Sequence, residues 1–286
     1  MSFEFQPFTF LVTAEVILPS VALRPYVHHY WIMKTCNTCM SHIIMPVGCP
    51  KWMFNRKRPF DVNGVVNINR KASIIGLYDK AKFVNSNEDM EMITVFFMPY
   101  AAKMITNIPY QEFYNDNVDF EDLESADFKE LKARILEAET TDECIGMIED
   151  FIIRRLIKTQ DSPYFNPMAK VFERMIANPN VRIEELASVA CLSERQFRRV
   201  FIENVGIKPK QIQRIQRFHL ATNELQKSTP SNLDQLLYKY GYTDHSHFNR
   251  EFHEIVGISP TKYLHFLEDV RKTGIMPIYR SYHAAE

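Results

Sequence analysis

The chain lacks the roughly 18 consecutive apolar residues that a membrane-spanning helix needs. Its richest apolar run, Met92 to Met98, contains Thr94 and stops at Pro99, so it reads as a buried strand. The N-terminus has no basic start, and Glu4 and Glu15 flank its apolar stretch. That speaks against a signal peptide and for a cytoplasmic home. Glycine is scarce, eight in 286 residues, and neither a Gly-rich phosphate loop nor a nucleophile elbow is present. The histidine pair separated by one residue that an enzymatic cupin metal site needs is also missing. His28 and His29 are adjacent instead, and strand alternation sends adjacent side chains to opposite faces. No catalytic residue, resident metal or cofactor is expected, and the enzyme classes that depend on them drop out.

Net charge is nearly absent too, at −1, but that figure hides an asymmetry. Residues 1–167 hold 17 Lys and Arg against 22 Asp and Glu, residues 168–267 hold 14 against 10, and the last 19 residues hold three of each. An acidic part is joined to a basic one suited to an anionic partner. A hydrophobic content of 46% with 24% charged residues is that of a soluble folded protein, and 286 residues suffice for two domains.

The first hundred residues alternate apolar and polar in short runs: Val27 to Met33, His42 to Val47, Trp52 to Asn55, Val65 to Ile68, Ser73 to Leu77 and Met92 to Phe97. Turn residues separate them at Pro46 to Gly48, Arg58-Pro59, Asn63-Gly64 and Asn85 to Asn87. Many short strands at this spacing predict a β-barrel or sandwich, with polar positions near Trp31, Trp52 and Tyr78 as candidate pocket lining. From about Asp119 the period becomes helical, with Leu123, Phe128, Leu131, Ile135 and Leu136 on one face. A second helix opens at an N-cap on Thr141 and runs to Lys158 with Ile145, Ile148, Phe151, Ile152 and Leu156 as its stripe. Two prolines with Ser, Asp and Asn between Thr159 and Pro167 mark a linker. The expected organisation is a first domain over 1–159, a linker over 160–167, an all-α domain over 168–267 and a tail over 268–286.

The all-α part repeats itself. SERQFRRVFIENVGIKP from Ser193 returns as DHSHFNREFHEIVGISP, with Phe197, Arg199, Phe201, Gly206 and Pro209 answered by Phe248, Arg250, Phe252, Gly257 and Pro260, each 51 residues on. Before the turn the offset is 50, from Leu186 to Leu236, so the second turn holds one extra residue. In each copy a short helix leads through a tight turn to a polar cap, Ser193 or Asp244. A second helix follows, whose phenylalanines recur at i and i+4 and which stops at glycine. Two helices joined by a short turn, with basic and amide side chains on the outer face of the second, describe a helix-turn-helix. The candidate DNA-binding residues are Arg195, Gln196, Arg198 and Arg199 in the first copy and His245, Ser246, Asn249 and Arg250 in the second. The phenylalanines are expected in the core, and His247 in packing or capping. Between the copies, Pro209 to Leu225 predicts one long helix packing through Ile212, Ile215, Leu220 and Leu225. Such a helix spans about 25 Å and can hold two reading helices roughly one DNA turn apart.

YGYTDHSHFNREFHEIVGISPTKYL and the linker helix RIQRFHLATNEL, through Arg217, Ala221 and Leu225, resemble the DNA-binding domain of the AraC/XylS family of transcription regulators. The turn Ala190-Cys191-Leu192 departs from that pattern, where many members have a glycine. More weakly, LRPYVHHYWIMK, MPVGCPKWMFN and VFFMPYAAKMI are similar to a sensor subgroup with a cupin-like barrel followed by helices. The resemblance implies an α+β protein, a cupin-like sensor or dimerisation barrel controlling an all-α double helix-turn-helix domain. Double-stranded DNA is the implied partner, and a small-molecule effector, RNA polymerase and a second copy of the chain are further partners it leaves open.

Two other readings compete with an effector-responsive regulator. In one the barrel only dimerises and DNA binding is constitutive. In the other Cys36, Cys39, His42 and Cys49, spaced CxxCxxH…C, form a metal or thiol sensor. A hairpin loop with reduced cysteines accounts for the same spacing, and Cys144 and Cys191 read as buried small hydrophobes.

Overall fold

The computed structural model describes residues 11–36, 40–57, 61–62, 65–66, 70–86, 89–159, 162–227 and 233–272. The strands are β1 (Leu11–Ile17), β2 (Val27–Cys36), β3 (Met40–Ile44), β4 (Lys51–Asn55), β5 (Asp61–Val62), β6 (Val65–Val66), β7 (Ala72–Ile75), β8 (Lys82–Ser86), β9 (Met90–Phe97) and β10 (Asn117–Asp119). They form two antiparallel sheets, a six-stranded one ordered β1-β2-β9-β4-β7-β10 and a four-stranded one ordered β3-β8-β5-β6. Among the described residues the strands form these two sheets rather than one closed barrel.

The central strands of the large sheet are buried on both faces, and alternation along them sorts the side chains. Tyr30, Ile32, Trp52, Phe54, Ile93, Val95 and Phe97 face one way, toward helices α1 (Ala102–Thr106), α2 (Ala126–Glu137) and α3 (Thr141–Lys158). Trp31, Met33, Met53 and Met92 face the other way and meet Val84 and Ile44 of the small sheet. Trp52 lies on the helix-facing side. It is fully buried, with Phe97, Phe120, Phe128 and Phe151 edge-on within 5.8 Å.

Several expectations need correction here. His28 and His29 do not point apart: a register shift in β2 between Val27 and His29 brings their Nδ1 atoms to 2.6 Å. Asn85 and Ser86 are not a turn but the end of β8, paired with Ser41 and Met40. The helix expected from Asp119 begins at Ala126, because Asp119 closes β10 and its carboxylate accepts from the Glu121 N–H. The cap of α3 is Thr140, not Thr141, in a capping box with Glu143. Cys144 is buried, whereas Cys191 is exposed, because the turn that holds it turns its side chain outward.

The C-terminal helices are α4 (Phe165–Ala177), α5 (Ile183–Val189), α6 (Glu194–Val205), α7 (Pro209–Lys227), α8 (Leu233–Lys239), α9 (His245–Val256) and α10 (Pro260–Lys272). Pro167, expected in a linker, lies in the first turn of α4, where a missing N–H costs nothing. α7 runs 19 residues, about 28 Å, and buries Ile212, Ile215, Phe218, Ala221 and Leu225. One apolar core joins α4 to α7 with Leu77, Tyr100 and Ala101, and another joins α7 to α10 with Ile43 and Met45, so the N-terminal part packs against both halves of the helical one. No helix among the described residues is long and apolar enough to cross a membrane.

Candidate nucleic-acid interface

Local chemistry fixes α6 and α9 as capped helices of equal length. At α6 the Ser193 hydroxyl accepts from the Gln196 N–H at 3.4 Å, and Gln196 Oε1 accepts from the Ser193 N–H at 3.2 Å. At α9 the Asp244 carboxylate accepts from the His247 N–H at 2.7 Å, which holds that carboxyl below its usual range. Both end on a glycine in the left-handed region, Gly206 at φ 92° and Gly257 at φ 81°. Each buries its phenylalanines: Phe197 and Phe201 in one, Phe248 and Phe252 in the other.

The opposite faces are open. Arg195, Gln196, Arg198, Arg199, His245, Ser246, Asn249 and Arg250 are all exposed. Their present partners are local and weak. Arg198 meets Glu194 at 3.2 Å, Arg199 meets Glu203 at 3.8 Å, and the Arg250 Nε donates to the Ser246 carbonyl at 3.3 Å. Two of the eight carry a structural duty. Gln196 belongs to the cap of its own helix, and His245 Nε2 lies 2.7 Å from Asp234 on α8. His247 is half-buried edge-on to Tyr242, a packing role.

Between α6 and α9 lies a cleft of about 870 Å³. Its cationic lining is Arg182 ahead of α5, Arg198 of α6, Lys210, Arg214 and Arg217 of α7, and Arg250 of α9, so the exposed faces of α6 and α9 each give it an arginine. Glu184, Glu251 and Glu254 also line it. Glu251, buried on α9, accepts from Arg214 at 2.7 Å and from Arg217 at 3.1 Å, and Arg214 also reaches Glu254 at 2.8 Å. These charge-assisted bonds clamp α9 onto α7. Arg182, Lys210, Arg214 and Glu251 were not singled out in the sequence. Position i, i+4, i+7 from Lys210 through Arg214 to Arg217 was the available signal, a polar stripe opposite Ile212 and Ile215.

For the cysteine alternative, Cys36 is exposed and Cys49 buried, while Cys39 and the side chain of His42 lie outside the described residues. Among the described residues no three His, Cys, Asp or Glu side chains are placed to hold a metal.

Residues 186–265 match the Helix-turn-helix domain family, and residues 15–119 match a family described as Domain of unknown function (DUF6597). The Probable transcriptional regulator LumQ of Photobacterium leiognathi is 33% identical over 87 residues, which is 30% of this chain and 35% of that protein. The chain thus spans about a third of the length of that curated relative. Among solved structures, ToxT from Vibrio cholerae O395 aligns over 91% of this chain and 98% of its own, at 12% identity and a TM-score of 0.44. The AraC-like transcriptional activator CuxR aligns over 74% and 86%, at 12% identity and a TM-score of 0.27. Over residues 186–265 the chain thus carries a helix-turn-helix domain of the AraC type found in transcription regulators.

Proposed function

We propose that the protein is a sequence-specific DNA-binding transcription regulator that presents α6 and α9 to two successive major-groove turns. One observation carries the reading: two capped helices, each with its apolar face buried and a basic or amide face exposed, flank a single cationic cleft. Arg195, Gln196, Arg198, Arg199, His245, Ser246, Asn249 and Arg250 are the proposed readers of bases and phosphates. Gln196 reads a base only by leaving its cap.

The proposal extends to control: the N-terminal part is a cupin-like sensor whose effector changes how the two helices are presented. Two features support this. The methionine-rich layer between the sheets, with Met33, Met90, Met92 and Met53, can repack around a ligand without breaking strand pairing. A buried lysine, Lys51, lies on the same side of the large sheet, donating to the Tyr78 hydroxyl at 2.8 Å, and burial pushes its amine down to about 8.

Selection of bound sequences from a random duplex pool by the full-length chain tests the first reading. A motif of two half-sites about 34 Å apart is expected, with affinity falling steeply as salt rises. Absence of any enriched motif refutes it.

A further inference from the structure

Two reading helices on one face of a duplex leave a stretch of DNA between them that neither touches. Between successive major grooves on that face lies one minor groove, edged by both phosphate backbones. The element that links the helices must face that stretch. Here it is α7, and its open side lines the cleft.

The charges of that lining sort into two groups. Arg214 and Arg217 are half-buried and held by Glu251 and Glu254, so they serve as the frame. Lys210, at the start of α7, and Arg182, ahead of α5, are both exposed and both line the same cleft. Arg182 pairs with the exposed Glu184 at 3.2 Å, a contact that water screens heavily. The lining holds six Lys and Arg against three Glu, and Arg182, Arg214 and Arg217 engage those carboxylates, so the cleft keeps a positive excess to which exposed Lys210 contributes.

Resting on the regulator reading above, the geometry points to the cleft between the two helix-turn-helix units as a saddle for the DNA backbone between half-sites, with Lys210 and Arg182 as its phosphate contacts. These residues carry no base information. They set the register of the two readers on the duplex and reward a spacer that brings its backbone close.

The test uses the full-length chain and fluorescence anisotropy against three versions of one duplex. One is unaltered, one has neutral methylphosphonate linkages in the spacer, and one has them in the outer flanks. Lys210→Gln with Arg182→Gln is compared with the unaltered chain, and both positions are exposed, so melting curves by circular dichroism are expected to coincide. Each lost phosphate contact lowers the slope of log K against log salt by about 0.9, so the double variant is expected to be shallower by about 1.8. Spacer neutralisation is expected to weaken the unaltered chain and leave the variant nearly unmoved, while flank neutralisation weakens both alike. Equal sensitivity of both chains to spacer neutralisation, or an unchanged salt slope in the variant, overturns the saddle and leaves DNA binding standing. No binding of any duplex by the unaltered chain overturns the saddle together with the regulator reading.

Discussion

Gly206 and Gly257 stop α6 and α9 with the same backbone geometry but in different surroundings, and replacing each with alanine separates two energies. Both sit in the left-handed region, at φ 92° and 81°, where a Cβ costs about 1–2 kcal/mol. At Gly257 an added Cβ meets nothing within 4 Å, so Gly257→Ala should lose only that amount. At Gly206 it lies 2.8 Å from the Tyr110 carbonyl carbon and 2.9 Å from the Tyr110 Cβ, closer than real Cβ contacts come. Tyr110 opens a 3₁₀ turn of the N-terminal part and is itself buried, so it cannot swing aside like a surface side chain. Overpacking of this kind costs about 1–3 kcal/mol more. Gly206→Ala should therefore lose about 2–5 kcal/mol in all, where each kcal/mol lowers Tm by about 2–4 °C. Urea unfolding read by circular dichroism measures both losses, and tryptophan fluorescence adds a second view, because Trp31 and Trp52 both lie in the N-terminal part. Equal losses in the two variants would refute the reasoning: the Tyr110 turn would then yield at no cost, and the two parts would not be in close contact there.

Arg250→Ala and Arg199→Ala are each expected to cost about 1–3 kcal/mol on the selected site, and equal losses on random DNA would reduce those residues to phosphate contacts. Cys191 adopts φ 55° at the position that Gly241 fills at φ 78° in the second copy, so Cys191→Gly should gain about 1 kcal/mol in thermal unfolding. Burial pushes His28 down to about 4, His29 to about 3 and His219 to about 4, each from an ordinary 6.5. The unfolded chain thus binds protons that the folded one refuses. The resulting stability is fully present above pH 6.5 and is lost as pH falls from there toward 4, by up to about 1.4 kcal/mol per pH unit for each histidine. A Tm profile that stays flat from pH 7 to 5 would contradict this.

How much of this could be read from residues alone depends on range. The caps at Ser193 and Asp244, the glycine stops and the buried phenylalanines are local, each fixed within one or two helical turns, and the 51-residue offset exposes them twice. The β-strands were legible where alternation ran long, as in β2 and β9, and missed where it was brief or polar. β8, KFVNS, offers two apolar residues in five, and its Asn85-Ser86 end mimics a turn until β3 pairs with it. The bulge that brings His28 against His29 leaves no mark in a pattern of period two. The side of the sheet that Trp52 faces is set by register with β9 and β7, not by its neighbours in sequence. The cleft is the extreme case, because Arg182, Lys210 and Arg250 converge only once α7 fixes the two units against each other.

That fixing is shared with the N-terminal part, and where it grips bears on how control can work. Gly206 at the end of α6 rests on Tyr110. Gly48 in the β3–β4 loop lies against Ile212 and Ile215 of α7, and the Ala81 N–H donates at 2.7 Å to the Ile255 carbonyl near the end of α9. These three contacts fall at the C-terminal ends of α6 and α9 and on the first two turns of their link, while the eight proposed reading residues lie exposed in the N-terminal halves. Nothing in this grip covers the faces meant for DNA. On the proposed reading, an effector therefore acts by changing the angle and separation of two exposed helices rather than by unmasking them. A duplex demands a fixed separation of about 34 Å between its two grooves, so a small rotation at either grip is enough to turn two simultaneous contacts into one. Losing one of two linked contacts lowers affinity far more than any single side chain can, because the second contact is otherwise made at high effective concentration.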